Sequence, residues 1–151
     1  MRILGLDYGE KRIGVALSDE LGIAAHGLTV IQRKGVQNDI HAIEELVSTN
    51  GVENIVIGYP VRLNGEEGIS CQKVNEFILL LEKNLMVPII REDEIFTTME
   101  AQTVLRETKT KRKKRKEVID KIAACFILQT YLNRLSLKKH EREEDKTVER
   151  T

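Results

Sequence analysis

Two apolar runs, residues 3–6 and 13–17, stand on either side of a short polar turn with Gly9 and Gly14 at its edges. Runs this close pair as an antiparallel hairpin, which leaves Asp7 at the end of the first strand. An Asp there serves by itself as a turn-former. The flanking Gly5 and Gly9 add a second reading, because a residue without a side chain lets a ligand backbone or a phosphate approach the carboxylate. On that reading Asp7 is the candidate anchor of a divalent metal.

The remaining chain extends the hairpin into a mixed sheet. Residues 23–31 read as a third strand, antiparallel to the second across the turn at 19–22. Asn38 or Asp39 is placed to cap a helix whose apolar positions Ile40, Ile43, Leu46 and Val47 recur at helical spacing until Asn50-Gly51 stops it. Residues 54–58 form a short, continuously apolar run, as expected of a parallel strand buried on both faces. After a loop at 61–68, the pattern predicts a helix over 70–85, a strand over 88–94, a helix from a Thr97 or Thr98 cap to residue 106, and a final helix over 117–135. Beyond Ser136 the chain is almost wholly charged and reads as a frayed helix end or disorder. The fold class is thus α/β, a mixed five-stranded sheet with three antiparallel strands followed by two parallel ones, flanked by helices. The carboxyl ends of the first, fourth and fifth strands share one edge, where ligands bind in open sheets.

The length of 151 residues suits one domain, read as 1–135, with 136–151 as a charged tail. There is no run of eighteen apolar residues and no leader-like apolar segment after Met1-Arg2, so a soluble, cytoplasmic protein without membrane contact is expected. Cys71 and Cys125 lie far apart in helical patterns, which suits reduced thiols better than a disulfide or a zinc site.

Lys plus Arg and Asp plus Glu both number 24, so overall charge points to no partner, but its distribution does. Seven of the eight residues 109–116 are Lys or Arg, a density that favours an extended or mobile segment until phosphate neutralises it. A solubility patch is the plainer reading of such a block. Directly after it comes Asp120, which alone would be helix-dipole compensation, and Glu94 alone would be solvated surface. If the last helix packs across the sheet by Ala123 and Ala124, however, Asp120 approaches the strand ends that carry Asp7 and Glu94. Clustered carboxylates repel unless a cation compensates, and oxygen-only ligands suit Mg2+ or Mn2+ rather than zinc. One or two such ions activate water and stabilise the leaving oxygen of a phosphodiester, so hydrolysis of nucleic acid is the natural reaction.

These residues resemble the YqgF family, whose members are described as pre-16S rRNA nucleases and as Holliday junction resolvase-like, with a ribonuclease H-like fold. The resemblance is carried by Gly5-Leu6-Asp7-Tyr8-Gly9 with residues 11–19, by Ile57-Gly58-Tyr59-Pro60 with Asn64-Gly65, by Asp93-Glu94 with Thr97-Thr98, and by residues 112–116 leading to Ile119-Asp120. It spans residues 1–135. It implies Asp7, Glu94 and Asp120 as catalytic, metal-binding acids, with Lys11, Arg12, Lys111, Arg112, Lys113, Lys114, Arg115 and Lys116 as nucleic-acid contacts. Ile95 and Arg62 depart from the family's usual Arg and Asn, so no substrate contact carries over at those positions. The implied partner is precursor rRNA, on the small ribosomal subunit, with branched DNA as the alternative and a monomer or weak homodimer as the acting species.

Two other classes of function compete. Asp7-Tyr8-Gly9 also looks like the phosphate loop of sugar kinases and actin-like ATPases, which need two folded halves where this chain has length for one. A nucleic-acid-binding protein without chemistry would need the basic block alone and not three converging acids. Few aromatics and no Trp argue against extensive base stacking.

Overall fold

The computed structural model describes residues 1–60, 68–93 and 112–149. Five strands, β1 (Arg2–Tyr8), β2 (Arg12–Ser18), β3 (Ala25–Gln32), β4 (Val52–Tyr59) and β5 (Ile89–Asp93), form one sheet in the order β3-β2-β1-β4-β5. β2 runs antiparallel to β1 and β3, whereas β4 is parallel to β1 and β5. The mixed sheet expected from the apolar pattern is therefore the one found. Helices α1 (Val36–Asn50) and α2 (Ile69–Asn84) follow β3 and β4, and α3 (Arg112–Glu149) closes the described chain.

Strand periodicity divides the core in two. Leu4 and Leu6 of β1, Ile13 and Val15 of β2, and Ile55 and Ile57 of β4 pack with Ile40, Ile43, Phe77 and Leu81 under α1 and α2. The alternate residues Ile3, Ala16 and Val56 pack against Ala124, Ile127, Leu128 and Leu132 of α3. Both faces of the central strands are thus covered, which is why their sequences are continuously apolar. Cys71 and Cys125 are free thiols, as expected.

Three expectations need correction. The first helix is capped not by Asn38 or Asp39 but by Gly35, because Asp39 turns inward, 1% exposed, to pair with Arg33 at 2.9 Å. Its other end is as predicted: Gly51 takes the left-handed conformation and donates its N–H to the Val47 carbonyl. Secondly, residues 112–116 are not extended but form the first turns of α3. Once the packed segment has nucleated a helix, each added Lys or Arg brings a backbone hydrogen bond, while like-charge pairs cost only about 0.2–0.5 kcal/mol each. Thirdly, α3 continues past Leu135 to Glu149 in place of the frayed or disordered tail. That stretch contains no Gly or Pro to stop it and consists largely of good helix formers, though its side chains at 136–148 are all exposed. The helix expected over 97–106 lies outside the described residues. No described helix is long and apolar enough to cross a membrane.

Candidate active site at the strand ends

Asp7 sits near the carboxyl end of β1, half-buried, and pairs in register with Gly14 of β2. It shares the α3-facing side of β1 with Ile3 and Gly5. The helix reaches that side because two positions lack side chains. A Cβ on Gly5 would stand 2.7 Å from the Leu128 Cβ, and one on Gly14 only 2.0 Å from the backbone carbonyl oxygen of Asp120. Gly14 thereby seats the Asp120 turn of α3 directly on the residue paired with Asp7. The buried Ala123 and Ala124 lie in the same stretch of helix, the packing anticipated from their size.

The glycines therefore work differently from the expectation that Gly5 and Gly9 open the carboxylate to a ligand. Gly5 admits the helix. Gly9 closes the hairpin, donating its N–H to the Arg12 carbonyl at 3.0 Å, and a Cβ there would lie 2.7 Å from that oxygen.

Asp120 and Arg12 meet directly: Arg12 Nε donates to Asp120 Oδ2 at 2.7 Å, with the two side chains 24% and 20% exposed. A carboxylate anticipated as a metal ligand is thus bonded to an arginine anticipated as a substrate contact. Arg12, Lys116, Gln32 and Glu117 line a cleft of about 360 Å3 beside this pair. Lys11, Arg115 and Lys116 are exposed, whereas the backbone of 112–114 belongs to the first turn of α3. Glu94 and Lys111 lie outside the described residues, as do Arg62 and Ile95. Among the described residues no group of three or more His, Cys, Asp or Glu is placed to hold a metal. The available donors, Asp7 and Asp120, are oxygen ligands on one side of the sheet. Carboxylate oxygens are the donor type a hard divalent cation takes, but at Asp120 the cation would have to compete with the Arg12 guanidinium.

Sequence reasoning missed Arg33 beside the site, and two further acids, Glu92 and Asp19, lie away from it. Arg33, besides its bond to Asp39, donates from Nη1 to the Gly9 carbonyl at 3.0 Å and lies 4.5 Å over the Tyr8 ring, which stacks on Phe77 at 4.3 Å. It clamps the turn that follows Asp7, and only its place between an apolar strand and a helix start could have marked it. Glu92 is buried, 3% exposed, and forms an ion pair with Arg134 of α3. It pairs with Gly58 and thus lies two strands from β1, about 10 Å away at ordinary strand spacing, which keeps it apart from Asp7. Asp19 belongs to the opposite edge. Its carboxylate accepts from the N–H groups of Ile23 at 2.8 Å and Ala24 at 3.2 Å, and the Ile23 bond leads in holding its pKa below the usual value.

A family model described as "RuvX: Holliday junction resolvase" matches residues 1–134. The chain belongs to the RuvX family, also called YqgF. It is 55% identical over 139 residues to a protein of Syntrophus aciditrophicus (strain SB), covering 92% of this chain and 93% of that one. A relative from Halothermothrix orenii is 49% identical over 133 residues, with coverage of 88% and 95%. Both carry the name "Putative pre-16S rRNA nuclease". Among solved structures, T. thermophilus RuvC in complex with a Holliday junction substrate matches with a TM-score of 0.55 at 15% identity, covering 90% of this chain and 96% of that one. Fowlpox virus resolvase with Holliday junction DNA matches with a TM-score of 0.55 at 13% identity, covering 89% and 99%. At such identities the likeness concerns the fold, and this RuvX chain has the ribonuclease H-like one.

Proposed function

We propose that this RuvX-family chain is a metal-dependent endonuclease that matures the 5′ end of pre-16S rRNA during ribosome biogenesis. That it is a nuclease, a hydrolase of phosphodiester bonds, follows from its family and its relatives. The observation that carries the metal-dependent reading is the seat of α3 on Gly14, which brings the Asp120 turn against the β2 residue paired with Asp7. In this reading Asp7, Glu94 and Asp120 hold Mg2+ or Mn2+. A cation held there supplies the activation of water and the stabilisation of the leaving oxygen. The chain's own part is to fix the two described carboxylates on rigid elements, β1 and a helix locked to β2, and to draw in the backbone with Lys11, Arg12 and the basic residues 111–116. The catalytic unit is residues 1–135, and the exposed helix beyond it lies outside the site.

A second reading, resolution of branched DNA, is favoured by the description of the matching family. A resolvase cuts two strands and works as a symmetric dimer, whereas one copy of this chain, as a monomer or weak homodimer, suffices for RNA. The two are separated by offering a pre-16S rRNA fragment and a four-way junction side by side, with Mg2+, with Mn2+ and with chelator, to the purified protein at known oligomeric state. Metal-dependent cleavage of the rRNA alone supports the proposal. Cleavage of the junction alone overturns it, and equal cleavage in chelator removes the metal.

A further inference from the structure

Arg12 stands between two demands. Its Nε is bonded to Asp120 at 2.7 Å, and its side chain also lines the 360 Å3 cleft between β2, β3 and the start of α3, where Lys116 is the second cation. A divalent ion taking Asp120 would lie beside a permanently charged guanidinium, and the two positive charges oppose each other. A guanidinium also has donors in a planar fork that suits a phosphodiester. We propose that Arg12 is a positioning residue that exchanges partners. It holds Asp120 while the cation is absent, and it passes to a backbone phosphate in the cleft when the cation takes the carboxylate. The inference rests on the reading of Asp120 as a metal ligand.

The exchange couples the two ligands. A cation that releases Arg12 favours nucleic acid, and a phosphate that captures Arg12 frees Asp120 for the cation by the same factor. A static pin between α3 and β2 would not couple the two ligands: its loss would lower stability and, by removing positive charge, tighten the cation, but it would leave the gain from adding nucleic acid as large as in wild type.

The test is calorimetric titration of Mg2+ into the full chain, with and without a phosphorothioate RNA oligonucleotide that resists cleavage, for wild type, Arg12→Gln, Arg12→Lys and Asp120→Asn. In wild type the oligonucleotide should tighten Mg2+ about fivefold or more, the lower end of ordinary coupling. Arg12→Gln should bind Mg2+ more tightly than wild type without the oligonucleotide and gain less from adding it. Arg12→Lys, which keeps the charge and protects the fold if the Gln variant does not, should bind Mg2+ about as wild type does without the oligonucleotide and show reduced coupling, since a lysine lacks the fork. If Asp120→Asn weakens Mg2+ while both Arg12 variants match wild type in coupling, the exchange is overturned and the metal site stands. If Asp120→Asn binds Mg2+ as wild type does, the metal reading of Asp120 fails and the exchange fails with it.

Discussion

A single methyl group at position 14 probes how the site is held. The Cβ of an alanine there would lie 2.0 Å from the Asp120 carbonyl oxygen, and a backbone oxygen in a helix cannot rotate away, so α3 has to move. Overpacking of this kind costs about 1–3 kcal/mol, and a shift of about 1 Å at a catalytic group costs on the order of 100-fold in rate. Gly14→Ala should therefore melt below wild type and lose most of its cleavage in single-turnover assays. Full activity in a folded Gly14→Ala protein would detach Asp120 from the mechanism. Asp7→Asn is nearly isosteric and should leave the circular dichroism spectrum unchanged while abolishing phosphodiester cleavage, because one charge fewer weakens a cation held chiefly by carboxylates. Undiminished turnover in that variant would remove Asp7. The positions of the candidate acids Asp7 and Asp120 were legible in the sequence, Asp7 at a strand end and Asp120 on a helix expected to pack by Ala123 and Ala124. The role of Gly14 was not, since it depends on a contact with a residue far along the chain.

Between elements, the Arg33–Asp39 pair ties the end of β3 to the first turn of α1, with Asp39 1% and Arg33 16% exposed. Removing one partner leaves a buried charge uncompensated, which costs about 3–5 kcal/mol, whereas replacing both costs far less. Arg33→Met should lower the denaturation midpoint strongly, and Arg33→Met with Asp39→Leu should recover most of the loss in a double-mutant cycle; additive losses would show that the pair is not coupled. The pair also explains why the start of α1 was misread. Asp39 had the composition of a cap, but a cationic partner six residues earlier took its carboxylate, and a glycine was left to begin the helix. Hydrophobic periodicity placed the strands and the core-facing part of α3 well because burial sets it. It did not carry the helix past residue 135, where the side chains at 136–148 are exposed and only propensity acts. A chain stopped after Ser136 should accordingly keep its thermal midpoint and its cleavage while losing helical signal, and a large drop in midpoint would mean that the exposed helix is packed on something.

At the scale of the whole molecule, equal numbers of acidic and basic residues hide a separation of charge that the fold arranges. α3 starts with Arg112, Lys113, Lys114, Arg115 and Lys116, and within two turns it reaches Asp120 on the sheet edge that carries Asp7. A helix, in place of the extended segment expected from sequence, gives these residues a fixed rise of about 1.5 Å each, which sets the exposed Arg115 and Lys116 little more than one turn from Asp120 along its axis. If the block grips a phosphate backbone, each cation that makes a contact releases counterions from it. Replacing Lys111, Arg112, Lys113, Lys114, Arg115 and Lys116 by Gln should then flatten the slope of log affinity against log salt by about 0.7 per lost contact on single-stranded RNA. The loss should be nearly independent of base sequence, because backbone contacts position the strand without reading it. Mg2+ affinity should hold or rise, since removing nearby positive charge favours a cation among the acids. RNA affinity across a salt series, paired with Mg2+ calorimetry on the same two proteins, measures both. An identical salt slope would mean that the block is a solubility patch, and substrate binding would then fall to Lys11, Arg12 and the acids' own cation.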